Sequence, residues 1–230
     1  MKLESNLATA ARASRAAMHR SLGDERRLAI VDTLHHCDRS VGELAQLTGL
    51  ATNLLAFHLQ VLDDAEVIER TTSEGDGRRR YVSLQAQALD LLGAPPPLAF
   101  QPSSVLFVCT ANSARSQLAA HLWRSCTGHR ALSAGTEPAA AVDPRAIATA
   151  RRHGLDLSSA EPRAFDDLDG PVDLVVSVCD RAHEHGVAAS LPRLHWSLPD
   201  PVPAGTSAFE HVFARLRGRV ERLAYAAEAA

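Results

Sequence analysis

The chain has 230 residues, 46% of them hydrophobic, which fits one large domain or two small ones, each able to bury a core. A net charge of −3 excludes a uniformly basic nucleic-acid binder, although not a local basic patch. No apolar run approaches the roughly 20 residues that cross a bilayer, and the Ala- and Arg-rich residues 1–20 lack the apolar core of a signal peptide, so a cytoplasmic protein without membrane contact is expected. The four cysteines, Cys37, Cys109, Cys126 and Cys179, form no CxxC pair. That argues against a disulfide scaffold and a zinc ribbon, and no metal site is expected.

In chain order, Asp24 is placed to cap a helix reaching about His36, with Leu28, Val31 and Leu34 on its inner face. Ser40 with Glu43 forms a capping box for a short helix over residues 41–47, which Thr48 and Gly49 end. A third helix is predicted over residues 52–65, with Leu55, Leu59 and Leu62 inward. Strand-like residues 67–70 and 81–84 flank Glu74-Gly75-Asp76-Gly77, a hairpin turn signal. Gly93-Ala94-Pro95-Pro96-Pro97 then marks a linker, because three successive prolines continue neither a helix nor a central strand. The expected organisation is a first domain over residues 1–94, a Pro-rich linker over 95–102 and a second domain over 103–230.

Beyond the linker, apolar strand-like runs alternate with helical stretches, the pattern of an α/β domain with a parallel sheet. Residues 104–108 read as a buried strand, followed by Cys109-Thr110-Ala111-Asn112-Ser113-Ala114-Arg115-Ser116 and a helix with Leu118, Leu122 and Trp123 on one side. Asp143-Pro144 is a good helix start and Gly154 a good stop. Residues 173–178 form another apolar strand. Ser207 with Glu210 is predicted to be a capping box for a last helix bearing Phe209, Val212, Phe213, Leu216 and Val220.

The spacing of Cys109 and Arg115 carries the chemistry. Five residues between them are enough to wrap a loop whose backbone N–H groups point inward as an anion nest, at a helix N-terminus that adds partial positive charge. Arg115 contributes a planar fork matched to two oxygens of a tetrahedral oxyanion. The same positive field favours a nucleophilic thiolate at Cys109. Thr110, Ala111, Asn112, Ser113, Ala114, Arg115 and Ser116 are therefore the expected oxyanion-binding residues, with Asn112 and Ser113 hydrogen-bonding to hold the loop. The competing reading is a buried cysteine at a strand end with Arg115 merely exposed. By itself, Asp200 in Trp196-Ser197-Leu198-Pro199-Asp200-Pro201 is an ordinary Asp-Pro turn.

The order helix, short helix, turn, helix, hairpin over residues 20–92 resembles the ArsR-type family of winged-helix repressors, a mostly helical fold with a β-hairpin wing. The resemblance implies operator DNA as a partner, read by a homodimer. Thr52, Asn53, Leu54 and Phe57 would then begin a recognition helix in the major groove, and Arg78, Arg79 and Arg80 on the wing would meet phosphates or the minor groove. Arg78, Arg79 and Arg80 also fit a solvated loop. The first half carries 11 Lys and Arg against 13 Asp and Glu, net −2, and Leu54 and Phe57 suit either thymine methyls or a core. Arsenic-sensing members carry paired cysteines in the helix before the recognition helix. That helix here has none, and Cys37 stands alone.

Residues 103–225 resemble the low-molecular-weight protein tyrosine phosphatase superfamily, through residues 108–117 and the Trp196 to Pro201 segment. The resemblance implies Cys109 as nucleophile, Arg115 as oxyanion clamp and Asp200 as general acid. Thr110, Ser113 and Ser116-Gln117 resemble the loop of its arsenate reductase branch, and Val202 stands where phosphatases usually place an aromatic. Val176-Ser177-Val178-Cys179-Asp180 resembles the reductase segment with a second redox cysteine. Gly186 occupies the position of a third cysteine, and Ala120 that of a potassium-binding glutamate. The implied activity is reduction of arsenate completed by a small external thiol such as mycothiol, with no bound cofactor. Cys179 is then a helper or a relic, and Cys126 is expected to be packed. The alternatives are a phosphotyrosine phosphatase fused to the regulator, or a regulator that senses an oxyanion without turnover.

Overall fold

The computed structural model describes residues 2–188 and 190–230, with side chains from residue 11 on. It divides into two compact units, Met1–Thr72 with Arg79–Gly93, and Ser73–Arg78 with Ala94–Ala230. Ser73–Arg78, inside the range predicted for the first domain, therefore packs within the second unit. Among the described residues no helix is long and apolar enough to cross a membrane.

The first unit holds α1 (Lys2–Leu22), α2 (Glu25–Leu34), β1 (Arg39–Ser40), α3 (Val41–Thr48), α4 (Thr52–Asp64), β2 (Ile68–Thr72), β3 (Arg80–Leu84) and α5 (Ala86–Leu92). Asp24 caps α2 by accepting from the Arg26 and Arg27 amides. Ser40 and Glu43 form the capping box of α3, and Gly49, at φ 66°, ends that helix in the left-handed conformation that glycine adopts without steric cost. β3 pairs antiparallel with β1 and β2. Leu55, Leu59 and Leu62 of α4 pack with Ile30, Val31, Leu34, Leu44, Ile68 and Val82 in one core. Leu28 departs from the prediction. It is 41% exposed, and Ile30 takes the inner face of α2 with Val31 and Leu34. Thr52, Asn53 and Phe57 are exposed on α4, Phe57 at 59%, so Phe57 is not a core residue, while Leu54 is half-buried.

The second unit continues with β4 (Ser104–Cys109), α6 (Arg115–Thr127), β5 (Arg130–Gly135), α7 (Pro144–Arg152), β6 (Leu174–Ser177), α8 (Asp180–His185), β7 (Arg193–His195) and α9 (Thr206–Glu228). The four strands pair in the order β5-β4-β6-β7, all parallel. Every residue of β4 is buried, as a central parallel strand requires. Because β5 and β6 lie on opposite sides of β4, its C-terminal end opens at the point where strand order reverses, where ligand sites form in such sheets. Phe107, Trp123, Trp196, Phe209, Phe213, Leu216 and Val220 are buried in one core, each large side chain contributing roughly 1.5–3 kcal/mol. Asp143 caps α7 and Gly154 follows it at φ 78°.

Two expectations fail in this unit. Ser207 and Glu210 form no capping box: α9 starts at Thr206 after Gly205, with no side-chain cap. Ser207 lies inside the helix, past the cap position, and Glu210 pairs instead with Arg152 and His153 across the α7–α9 packing. Cys126 is exposed rather than packed, because the inner face of α6 is already taken by Leu118, Ala119, Leu122 and Trp123.

Candidate active site

Residues 109–115 form a loop between the end of β4 and the start of α6. Its shape follows from where its carbonyls go. The amides of Thr136, Glu137, Ala139 and Asp143 donate to the carbonyls of Cys109, Thr110, Ala111 and Ser113. In a trans peptide the following N–H points the other way, so the amides of residues 110, 111, 112 and 114 turn to the side opposite these partners. The Asn112 amide accordingly donates to the Cys109 sulfur at 3.2 Å. That orientation is the one an anion nest requires. Gly135 is required beside it, because a Cβ there would lie 2.5 Å from the Thr110 carbonyl oxygen.

Asn112 holds the turn. It sits at φ 49°, a left-handed conformation costly for most side chains and tolerated by asparagine. Its fully buried side chain makes three hydrogen bonds. Nδ2 donates to Ser116 Oγ at 2.7 Å, and Oδ1 accepts from Gln117 Nε2 at 3.1 Å and from the Arg163 amide at 2.9 Å. Ser116 Oγ, which accepts from Asn112, also lies within hydrogen-bonding distance of the Cys109 sulfur, at 3.0 Å. The Asn112 amide and the Ser116 hydroxyl thus both meet the sulfur of Cys109, a buried residue. Thr110, Ala111 and Ser113 line the half-exposed side of the loop, and Ala114 and Ser116 are buried.

Arg115 points back across the loop. Its Nη1 donates to the Leu198 carbonyl at 2.7 Å, and its Nη2 lies 3.6 Å from Asp200 Oδ1. Burial acts to lower its affinity for the proton, but the surrounding Cys179, Cys109, Asp200 and Glu74 raise it further, so the guanidinium stays charged. Asp200 is half-exposed, and its Oδ1 accepts from the Val202 amide at 3.2 Å. Arg145, from α7, donates to the Val202 carbonyl at 3.0 Å and steadies the segment. The structure therefore brings Cys109, Arg115 and Asp200 together from the ends of β4, α6 and the segment after β7.

Cys179 lies against the same loop, its sulfur 3.5 Å from Thr110 Oγ1. It is buried, and burial together with the neighbouring Cys109 raises its thiol above the ordinary value, against the opposing pull of Arg115. Cys37 is buried in the first unit.

Two groups at the site carry no local sequence signal. Glu74 accepts from Arg115 Nη1 through Oε2 at 3.2 Å and from the Asp200 amide through Oε1 at 2.7 Å. Asp180 accepts from His195 Nε2 at 3.1 Å, while His195 Nδ1 meets Ser177 Oγ at 3.1 Å and its ring stacks on His183. Burial raises the Asp180 carboxyl, but the bonds from His195 and the Glu74 amide prevail and hold it below its ordinary value of 3.8. Their partners are far away in sequence, so only a folded chain reveals them.

Residues 104–229 match the family model described as low molecular weight phosphotyrosine protein phosphatase. An arsenate reductase of Brevibacillus brevis is 30% identical over 132 residues, 54% of this chain and 96% of that protein. Arsenate reductase 1 of Bacillus cereus is 32% identical over the same shares. The solved arsenate reductase of Archaeoglobus fulgidus is 29% identical, covering 52% of this chain and 98% of its own, with a TM-score of 0.46. With a match over more than half of its residues, this chain belongs to the low molecular weight phosphotyrosine protein phosphatase family, within the enzyme superfamily that includes the arsenate reductases.

Proposed function

We propose that the second unit is a thiol-dependent arsenate reductase, and that the first unit is a winged-helix DNA-binding regulator of the ArsR type. The observation that carries the enzyme reading is the 109–115 loop, in which the Asn112 amide donates to the Cys109 sulfur and the buried Arg115 guanidinium reaches Asp200. Its support is the likeness, at 30–32% identity, to proteins named arsenate reductases over nearly their whole length.

In this mechanism the loop amides and Arg115 hold arsenate, with Thr110, Ala111, Asn112, Ser113, Ala114 and Ser116 completing the cradle. The Cys109 thiolate attacks arsenic and a sulfur–arsenic bond forms. An arsenic–oxygen bond breaks, and the departing hydroxide takes a proton from Asp200 and leaves as water. An external thiolate, mycothiol or a similar small thiol, then attacks the Cys109 sulfur. A sulfur–sulfur bond forms, and the sulfur–arsenic pair of electrons stays on arsenic, which leaves as arsenite. A second thiol reduces the mixed disulfide and restores Cys109. No bound cofactor is needed. Cys179 is a poor resolving thiolate because its raised proton affinity keeps it protonated near neutral pH, and its burial shields it from a protein reductant.

The regulator reading is supported by the helix order α2, α3, α4 followed by the β2–β3 hairpin, and by exposed Thr52, Asn53, Phe57, Arg78, Arg79 and Arg80. Half-buried Leu54 would touch DNA only through its outer edge. A homodimer reading paired half-sites of operator DNA, in the cytoplasm where arsenate and small thiols meet, completes the proposal. The family model itself favours a second reading, hydrolysis of phosphotyrosine through the same Cys109, Arg115 and Asp200.

Steady-state assays with arsenate plus mycothiol and with p-nitrophenyl phosphate decide between them. The reductase reading expects arsenite from the wild type and none from Cys109→Ser, with phosphate binding retained by the variant. Arsenite production by Cys109→Ser equal to the wild type would remove the mechanism, and turnover of the aryl phosphate alone would select the phosphatase.

A further inference from the structure

Ser73–Arg78, the connection between β2 and β3, is part of the second unit, and its hydrogen bonds explain why. Ser73 Oγ donates to Glu184 Oε1 and the Asp76 amide to Glu184 Oε2, both at 2.7 Å. The Glu74 amide donates to Asp180 Oδ2 at 2.9 Å, and Arg181 Nε donates to the Glu74 carbonyl at 3.0 Å. Three residues of α8 thus hold the loop backbone on both sides of Glu74. Asp180 is itself fixed from behind by His195.

With its backbone clamped, Glu74 projects a carboxylate onto the active site. One oxygen accepts from Arg115 Nη1 and the other from the Asp200 amide. A carboxylate with one oxygen on the guanidinium and one on an amide uses the same donor types that a tetrahedral oxyanion uses. It stands in the gap between the residue that would clamp the substrate and the residue that would protonate its departing oxygen. Arg115 cannot give its full charge to an incoming anion while Glu74 neutralises it.

We propose that Glu74 is a built-in competitor for the oxyanion site: it occupies Arg115 in the unliganded protein, and arsenate or phosphate binds only as it is displaced. This rests on the reading of residues 109–115 as an oxyanion site, though not on arsenate turnover. The apparent affinity for an oxyanion is lowered by the fraction of molecules in which Glu74 has withdrawn. Releasing the loop from α8 should have the same effect as removing the carboxylate.

The test is calorimetric titration of the full chain with inorganic phosphate, for the wild type, Glu74→Ala, Glu74→Gln and Glu184→Ala. Glu74→Ala is expected to bind phosphate at least roughly tenfold more tightly, as loss of the competing bonds to Arg115 and the Asp200 amide implies. Glu74→Gln should tighten less, because the amide still accepts from Asp200, and Glu184→Ala should tighten although Glu74 is intact. A dissociation constant for Glu74→Ala equal to or weaker than the wild type overturns the proposal. No heat of phosphate binding from any of the four proteins overturns the oxyanion site together with it. A readout on the wild type alone guards against variants that fold poorly. Saturating phosphate should shift the side-chain carboxyl resonance of Glu74, as that carboxylate leaves Arg115 and the Asp200 amide, and an unchanged resonance refutes displacement.

Discussion

Replacing Asn112 with alanine probes what holds the nest in shape. Three buried side-chain hydrogen bonds vanish, from Nδ2 to Ser116 Oγ and to Oδ1 from Gln117 and the Arg163 amide. At about 1 kcal/mol each they contribute roughly 3 kcal/mol. A φ of 49° adds roughly 1–2 kcal/mol of strain for a residue with a Cβ and no local polar compensation. The expected loss is therefore about 4 kcal/mol, or roughly 10 °C in the melting temperature of a unit this size. Asn112→Gly loses the same bonds without the strain, so it should melt above Asn112→Ala. Trp123 and Trp196, the chain's only tryptophans, both lie in the second unit, so intrinsic fluorescence follows that unit's unfolding alone. Melting of Asn112→Ala within about 2 °C of the wild type, or of Asn112→Gly below Asn112→Ala, would show that the loop is held by something other than this side chain.

Asp200→Asn should slow the chemical step about 10²–10⁴-fold while phosphate binding changes little; unaltered single-turnover rates would make Asp200 only a turn residue. Cys179→Ser should keep most arsenite production with excess mycothiol, and a near-zero rate with phosphate binding intact would make Cys179 an obligatory resolver. Changing Arg78, Arg79 and Arg80 together to Ala should weaken duplex DNA binding and flatten its salt dependence, because phosphate contacts release counterions. Wild-type protein that retards no fragment of its own promoter at low salt would count against the regulator. The Asp180 carboxyl, lowered from 3.8 in the folded state, adds stability that is fully present above that value and is lost as pH falls through the folded one. Asp180→Asn should therefore flatten the acid limb of the second unit's fluorescence melts, and an unchanged limb would show that Asp180 takes no part in it.

Sequence alone determined the elements whose signals are local. A capping box spans four residues, so Ser40 with Glu43 predicted the start of α3. The apolar run ending in Cys109, followed by small polar residues and Arg115, predicted β4, the loop and α6, because that spacing leaves few other conformations. The inward faces of α4 and α9 followed from helical period in the same way. Where a local signal competed with a distant partner, the distant partner won. Glu210 could cap α9 with Ser207, but Arg152 and His153 lie within hydrogen-bonding reach and take its carboxylate. Leu28 matched the apolar period of α2, yet Ile30, Val31 and Leu34 fill the inner face. Only the tertiary structure revealed that Glu74, 41 residues before Arg115 and 126 before Asp200, stands between them. The turn signal at Glu74-Gly75-Asp76-Gly77 specifies a bend in the backbone and not what the bend will touch. That is set by long-range hydrogen bonds to Asp180, Arg181 and Glu184, which exist only once α8 is in place.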